Sequence, residues 1–124
     1  MAKKQKTENI DIKQKLDNIQ TLVRTNRPKE AVAYEYVLFV MLCTLKYKKR
    51  KLPYESIRDY AMTMVKDYDL SPGNLYPFIQ KVEDAIYGGK TANNELYNET
   101  LSFFNKVFEE IVGKPLPENM MVTT

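Results

Sequence analysis

The chain has 124 residues, of which 44% are hydrophobic and 28% are charged, and its formal net charge is +3. These values are typical of one globular domain with a single core, and they exclude a disordered chain. The lack of histidine and the presence of one cysteine, Cys43, exclude Ser-His and Cys-His catalytic pairs, histidine-containing zinc sites and an intramolecular disulfide. We therefore expect a protein that is not an enzyme and uses no metal or cofactor.

The apolar segments are too short to span a bilayer. The longest, residues 31–45, already contains Glu35 and Thr44 and falls below the roughly 20 residues that a membrane helix needs. The basic N-terminal residues 1–6 are not followed by the apolar segment of a secretory signal. We predict a cytoplasmic protein without a membrane span, in which Cys43 is a small buried hydrophobe.

Apolar residues recur at helical spacing along nearly the whole chain, and the two-residue alternation of a strand is hard to find. We predict an all-α fold, a single-domain bundle of five helices over residues 9–113. A flexible basic leader at 1–8 and a flexible tail at 114–124 are expected to flank it.

Two helices are predicted before residue 50. The first covers residues 9–25 and carries an apolar stripe of Ile12, Leu16, Ile19 and Val23. The second covers residues 28–48, because Pro28 is well tolerated in a first turn. Residues 31–45 are apolar nearly all round, so we expect the second helix to lie at the centre of the bundle, covered on several sides.

A third helix is predicted over residues 55–67, with Ile57, Tyr60, Ala61, Met64, Val65 and Tyr68 on one face. In the loop that follows, Ser71 is expected to cap only a short turn, and Pro77 is expected in the first turn of the fourth helix. The fourth helix presents Phe78, Ile79, Val82, Ala85 and Ile86.

The last helix is predicted over residues 92–112, with Thr91 as its N-cap. Its stripe consists of Leu96, Leu101, Phe104, Val107, Phe108 and Ile111. Gly113 and Pro115 end it, and we expect the residues after Pro115 to be loosely held.

A basic half of the chain precedes an acidic half. Residues 1–58 carry fourteen Lys/Arg and six Asp/Glu, a net charge of +8, whereas residues 59–124 carry five and ten, a net charge of −5. The two halves are predicted either to attract one another, within the fold or across an oligomer, or to present an anion-binding surface.

Five positive charges lie within residues 46–51, at Lys46, Lys48, Lys49, Arg50 and Lys51. Their position at a helix C-terminus complements the helix dipole. They are also the candidate contacts for an anion or for nucleic acid, aided by Lys3, Lys4 and Lys6, with Tyr47 and Tyr54 as possible stacking partners.

The acidic residues and glycines indicate no other chemistry. Glu83-Asp84 and Glu109-Glu110 are adjacent pairs whose side chains diverge by about 100° on a helix, so we interpret them as solvated faces. The four glycines form no phosphate-binding loop.

The fourth helix ends in a structural junction, which we assign to Tyr87, Gly88 and Gly89. Glycine supplies the left-handed conformation that a helix C-terminus often needs, and Tyr87 is expected to anchor the helix end. Glu83 and Asp84, one turn earlier, are expected to meet basic groups such as Arg58.

Two stretches resemble one known family. Residues 53–61, PYESIRDYA, look like its Thr-Pro-x-Glu-Tyr-Ala helix opening, and residues 82–89, VEDAIYGG, look like its closing motif Tyr-Glu-x-Ala-Arg-Tyr-Gly-Gly. The family is a domain of unknown function that commonly forms the cytosolic C-terminal tail of membrane-anchored transglutaminase-like proteins. The resemblance covers roughly residues 28–112, and it implies a small helical bundle without known catalysis that serves as an interaction module.

We predict that the protein binds another protein or itself by burying a partly exposed apolar stripe, for which the first helix is the candidate. Packing of that stripe on the bundle itself is the other role predicted for it. The alternative is nucleic-acid binding through the basic residues at 46–51.

Overall fold

The structure, a computed structural model, describes residues 11–89 and 92–120. Within these ranges it is all-helical and contains no strand, so the predicted five-helix bundle is confirmed. The helices are α1 (Ile12–Arg24), α2 (Pro28–Tyr47), α3 (Ile57–Tyr68), α4 (Pro72–Tyr87) and α5 (Asn94–Val112), followed by a 3₁₀ turn at Glu118–Met120. The predicted leader at 1–8 lies outside the described residues.

The third helix begins two residues later than predicted because Ser56 caps it. The Ser56 hydroxyl accepts a hydrogen bond from the Asp59 N–H at 3.0 Å, and the Asp59 carboxylate accepts one from the Ser56 N–H at 3.4 Å. Glu55 lies before this capping box, and its carboxylate accepts from the Leu52 N–H at 2.7 Å. The side chain therefore closes the loop instead of opening the helix.

The predicted start of the fourth helix at Pro77 is wrong, since α4 already begins at Pro72 and contains Pro77. Pro77 lies in the second turn, so its missing N–H removes only the hydrogen bond to the carbonyl of Gly73. Glu110 of α5 holds the first turn in place. Its carboxylate accepts from the Ser71 N–H at 2.9 Å and from the Asn74 side chain at 3.2 Å. Glu110 therefore connects α5 to the start of α4, and the prediction that it belongs to a solvated face is wrong.

The last helix is capped by Asn93, whose side chain accepts from the Leu96 N–H at 2.9 Å. The predicted cap, Thr91, lies outside the described residues. The buried stripe of α5 includes Tyr97 and Thr100, while Leu96 is only partly buried. The prediction therefore placed the first turn of the stripe one residue early.

The central position of α2 is confirmed, since it packs against α1, α4 and α5. Phe39 of α2 lies at the middle of a chain of aromatic contacts. Its ring centroid is 6.0 Å from those of Tyr60 on α3 and Phe78 on α4. Phe78 in turn stacks on Phe104 of α5 at 5.2 Å. These contacts join four of the five helices to one core.

The segment after α5 packs on the bundle as far as Met120, where a flexible tail was expected, and residues 121–124 of the predicted tail lie outside the described residues. Leu116 and Met120 are buried. The Leu116 N–H donates to the Asn105 side chain at 2.8 Å, and the Tyr97 hydroxyl donates to the Met120 carbonyl at 3.0 Å. Two hydrogen bonds and two apolar side chains thus hold residues 116–120 against α5.

The end of α4 uses its two glycines differently. Gly88 keeps a right-handed conformation with φ −74°, and its N–H donates to the Asp84 carbonyl at 3.1 Å. Only Gly89 adopts the left-handed conformation, with φ +73°. The predicted glycine helix stop is confirmed, with the left-handed residue at Gly89.

A pair of glycine substitutions tests this ending. In Gly88→Ala the added Cβ would lie 2.3 Å from the Asp84 carbonyl oxygen, so we expect a loss of about 1–3 kcal/mol in the free energy of unfolding. Gly73→Ala, in the first turn of α4, meets nothing closer than 3.8 Å and should stabilise the helix by up to about 1 kcal/mol. Chemical denaturation of both variants measures these changes, and equal effects would contradict this account.

Candidate functional site

Most of the basic residues at 46–51 serve the fold. The Lys46 ammonium donates to the Ile111 carbonyl at 2.9 Å, which satisfies the C-terminal end of α5. The Lys49 ammonium lies 3.8 Å from the Glu55 carboxylate, and the Lys51 ammonium is 3.5 Å from the Leu52 carbonyl. At least three of the five predicted contacts for an anion therefore bind groups of the protein itself.

The exposed part of this region is smaller than predicted. Lys48 and Arg50 are exposed, and Tyr54 in the same loop is 82% exposed. Tyr47 packs its ring 5.3 Å from that of Tyr68 and is only partly accessible. The nucleic-acid candidates are thus reduced to Lys48, Arg50 and Tyr54, while Lys3, Lys4 and Lys6 lie outside the described residues.

The last turns of α4 form an ion pair with α3, but Tyr87 does not anchor the end of the helix. The Arg58 guanidinium donates twice to the Glu83 carboxylate, at 2.7 and 3.3 Å, which confirms the expected contact and raises the pKa of Arg58. Asp84 instead accepts from Gln80 at 3.0 Å. The side chain of Tyr87 is 72% exposed, so the prediction that it anchors the helix end is wrong.

The apolar stripe of α1 is already used within the bundle. Leu16, Ile19 and Val23 are buried, and α1 packs on α2. Of the two roles predicted for this stripe, packing on the bundle is therefore the one that the structure shows. One side of the stripe also lines a partly open cavity of about 550 Å³ between α1 and the segment after α5, whose lining includes Leu16, Phe108, Val112 and Met120.

The accessible apolar surface lies on α2. Ala33, Val37, Met41 and Leu45 follow one another at four-residue spacing, and none of them is buried; Val37 is 44% exposed. We call these four residues the open face. Residues four apart lie on one side of a helix and form a ridge of the kind that packs into the groove of another helix.

Hydrogen bonds to α1 and α3 mark the two sides of the open face. On one side the Asn18 amide of α1 donates to the Tyr34 hydroxyl at 3.0 Å. On the other side the Tyr36 hydroxyl donates to the Ile57 carbonyl of α3 at 3.4 Å. Thr44, beside the ridge, turns its hydroxyl to the Val40 carbonyl at 2.7 Å, so it adds little polarity to this surface.

The one ionisable acidic or basic residue within 31–45, Glu35, is buried on the side of α2 opposite the open face. Glu35 has no exposed surface, and neither carboxylate oxygen has a hydrogen-bond partner in the described part of the chain. It precedes Val37 by two residues, which places it about 160° away around the helix. Burial raises the pKa of Glu35 well above its usual range, because desolvation disfavours the charged carboxylate.

Sequence reasoning missed both features for the same reason. A helix that is apolar all round gives no hydrophobic stripe from which to choose a buried and an open side. The position of Glu35 was nevertheless informative, since it follows Ala31 by four residues and precedes Phe39 by four. Both of these neighbours are buried, so a helix with Phe39 in the core must also bury Glu35.

The other reactive groups of the bundle are suppressed by burial. Cys43 is buried, and desolvation raises the pKa of its thiol to about 12, so it is protonated at neutral pH. No group of three or more Cys, Asp and Glu residues that could hold a metal ion occurs among the described residues. None of the helices that the structure describes is long and apolar enough to cross a membrane.

No protein-family model, curated protein or solved structure matches this chain. The resemblance of residues 53–61 and 82–89 to a domain of unknown function therefore stays a prediction.

Replacing Glu35 with leucine is expected to stabilise the protein. A buried polar group without a partner costs about 1–3 kcal/mol, and leucine removes that cost at similar volume. Because the folded pKa of Glu35 is raised, the folded state holds the proton more tightly than the unfolded state. The wild type therefore has its full free energy of unfolding below the unfolded pKa of Glu35. That free energy falls as the pH rises from there toward the folded pKa.

The difference in unfolding free energy between Glu35→Leu and wild type should grow by up to about 1.4 kcal/mol per pH unit as the pH rises from the ordinary pKa of 4.5 toward the raised folded pKa of Glu35. Urea denaturation across this range measures it. Glu109→Leu, at an exposed position on α5, is the control and should show no such growth. A difference that does not vary with pH would show that Glu35 titrates at its ordinary pKa.

Proposed function

We propose that this protein is a non-catalytic, cytoplasmic helical module that associates with a second copy of itself through the open face of α2. The observation that carries the proposal is the run of charge-free surface on a helix that otherwise forms the core. Between Glu30 and Lys46, the one charged side chain of α2 is the buried Glu35.

The grouping of the four residues supports association more than their individual exposure does. Other large apolar side chains are exposed singly, such as Met62 on α3, and isolated residues of this kind are normal on monomeric proteins. The open face instead places Ala33, Val37, Met41 and Leu45 in one row about 18 Å long. Covering such a ridge with another helix removes it from water and supplies close packing.

A second copy fits this surface because the open face is bounded by opposite charges. Glu30 lies at its N-terminal end, and Lys48 lies just past its C-terminal end. A surface with one acid and one base at its two ends is complementary to itself when one copy is rotated about a two-fold axis. The face is a single helix ridge, smaller than a standard interface, so we expect a dissociation constant on the order of micromolar.

The non-catalytic assignment rests on the state of the nucleophiles and proton carriers. The chain has no histidine, and the Cys43 thiol is buried with a pKa of about 12. Glu35 is fully buried on the side of α2 away from the open face, so its carboxyl group is not accessible there to a substrate. The open face supplies apolar contact and no acid, base or nucleophile.

Val37→Glu tests the surface. We expect the mass of the wild type, measured by sedimentation equilibrium between about 1 and 500 µM, to rise from 14.5 kDa toward twice that value. A buried, unpaired carboxylate should weaken the association at least roughly 30-fold and leave the variant monomeric.

The matched control is Met62→Glu, which introduces the same charge at a similarly exposed apolar position, 51% against 44%. Its dissociation constant should equal that of the wild type. A wild type that stays monomeric throughout, or equal losses in the two variants, would refute the proposal.

A second candidate function, nucleic-acid binding, is favoured by the exposure of Lys48, Arg50 and Tyr54 in one loop. If it is correct, fluorescence anisotropy with a single-stranded RNA or a DNA duplex should show binding at low salt that weakens steeply with added salt. Arg50→Glu should then weaken binding more than Lys106→Glu, which makes the same charge change at an exposed position on α5. The absence of binding at low salt, or equal losses, would exclude this function.

A further inference from the structure

The residues of the open face also indicate the relative orientation of two α2 helices in a dimer. We infer that the two α2 helices pair antiparallel, with the two-fold axis crossing them at the level of Phe39. This inference rests on the proposed self-association, and it adds the orientation of the partner and the charges that select it.

The residues of the open face are symmetric about position 39. Val37 and Met41 lie two residues on either side of it, and Ala33 and Leu45 lie six residues on either side. An antiparallel pair centred there brings Val37 opposite Met41 of the second copy, and Ala33 opposite Leu45 of the second copy. Each contact is then made twice, as a two-fold axis requires.

This arrangement pairs small side chains with large ones along the whole ridge. Ala33 is the smallest residue of the open face, and it meets Leu45, while Val37 meets the longer Met41. A parallel pair would instead put Ala33 against Ala33 and Leu45 against Leu45. The helices would then be too far apart at one end and too close at the other, so antiparallel packing is more uniform.

The charges at the ends of the open face select the same orientation. Glu30, in the first turn of α2, precedes position 39 by nine residues, and Lys48, the left-handed C-cap residue just past the helix, follows it by nine. The antiparallel pair therefore brings each Glu30 toward Lys48 of the second copy. A parallel pair would instead bring Glu30 to Glu30 at one end and Lys48 to Lys48 at the other. These two contacts between like charges would lie about 27 Å apart along the helix axis, too far for one to offset the other. The dipoles of two antiparallel helices also attract one another, and this weaker interaction favours the same antiparallel orientation.

The contact that Glu30 makes within its own chain leaves it able to join such a pair. Its carboxylate lies 4.0 Å from the Arg27 guanidinium, and both side chains are exposed. An exposed ion pair of this length is weak, and a carboxylate accepts more than one donor. Glu30 can therefore contact Lys48 of the second copy without losing Arg27. Lys48 also interacts within its own chain, and its ammonium carries three donors, so it can accept Glu30 as a further partner.

Disulfide cross-linking tests the orientation. Proteins carrying Ala33→Cys and Leu45→Cys are mixed in equal amounts at concentrations above the dissociation constant, oxidised, and analysed by mass spectrometry without reduction. The antiparallel pair should give the mixed disulfide between positions 33 and 45. Two cysteines at position 33 would be about 18 Å apart along the axis, beyond the roughly 7 Å limit for a disulfide. Wild type, whose Cys43 is buried, is the control and should give no cross-link.

Charge reversal gives an independent readout by sedimentation equilibrium. Glu30→Lys should weaken the dimer roughly 10-fold at low salt. The double variant Glu30→Lys with Lys48→Glu should restore it, because each reversed charge again meets its opposite in the antiparallel pair. In a parallel pair the double variant would keep both like-charge contacts and would remain weak.

The outcomes separate the two levels of the proposal. Disulfides formed only between identical positions, with no rescue by the double variant, would overturn the antiparallel orientation and leave self-association standing. No cross-link, together with a wild type that stays monomeric, would overturn self-association itself. The mixed disulfide with rescue supports both.

Discussion

The fold depends on the burial of Phe39 at the centre of the bundle. Its ring contacts Tyr60 and Phe78, and through Phe78 it connects to Phe104, so three helices are packed against α2 through one set of aromatic rings. Each of these rings is fully buried, and aromatic side chains contribute more burial per residue than any others. Because Phe39 must face this core, the rotation of α2 about its own axis is fixed, and with it the position of every other side chain on the helix.

Two consequences of that rotation define the site. The side of α2 near Phe39 includes Glu35, so the core holds a carboxyl group without a hydrogen-bond partner among the described residues. The opposite side carries Val37 and Met41, which no neighbouring helix buries completely. One helix thus combines a destabilising polar group inside with uncovered apolar surface outside. Proteins commonly retain such costs where function requires them, and association of the open face is the function that this combination favours.

Charged residues act mainly as local ties within this bundle. The Arg58–Glu83 pair joins α3 to α4 and connects the basic half of the sequence to the acidic half. Lys46 completes the end of α5, and Glu110 secures the start of α4. In the described part of the chain, this ion pair shows the expected attraction between the halves. Lys49 and Lys51 contact groups of the loop that follows α2. Counting the charges at 46–51 therefore overstated the anion-binding surface, because a run of charges in a sequence shows where the cations are and not what they contact.

The sequence alone determined the class of fold, the number of helices and the central place of α2, because helical spacing and composition act locally and need no knowledge of neighbours. It also determined the Arg58–Glu83 contact and the glycine helix stop. The start of α4 depended on Glu110, far along the chain, and the exposure of Tyr87 depended on which elements pack beside it. Above all, a helix that is apolar all round has no preferred inner side until its neighbours are placed. Only the tertiary structure could decide that Glu35 is buried and Val37 is open, because that choice is made by packing around Phe39 and not by α2 itself.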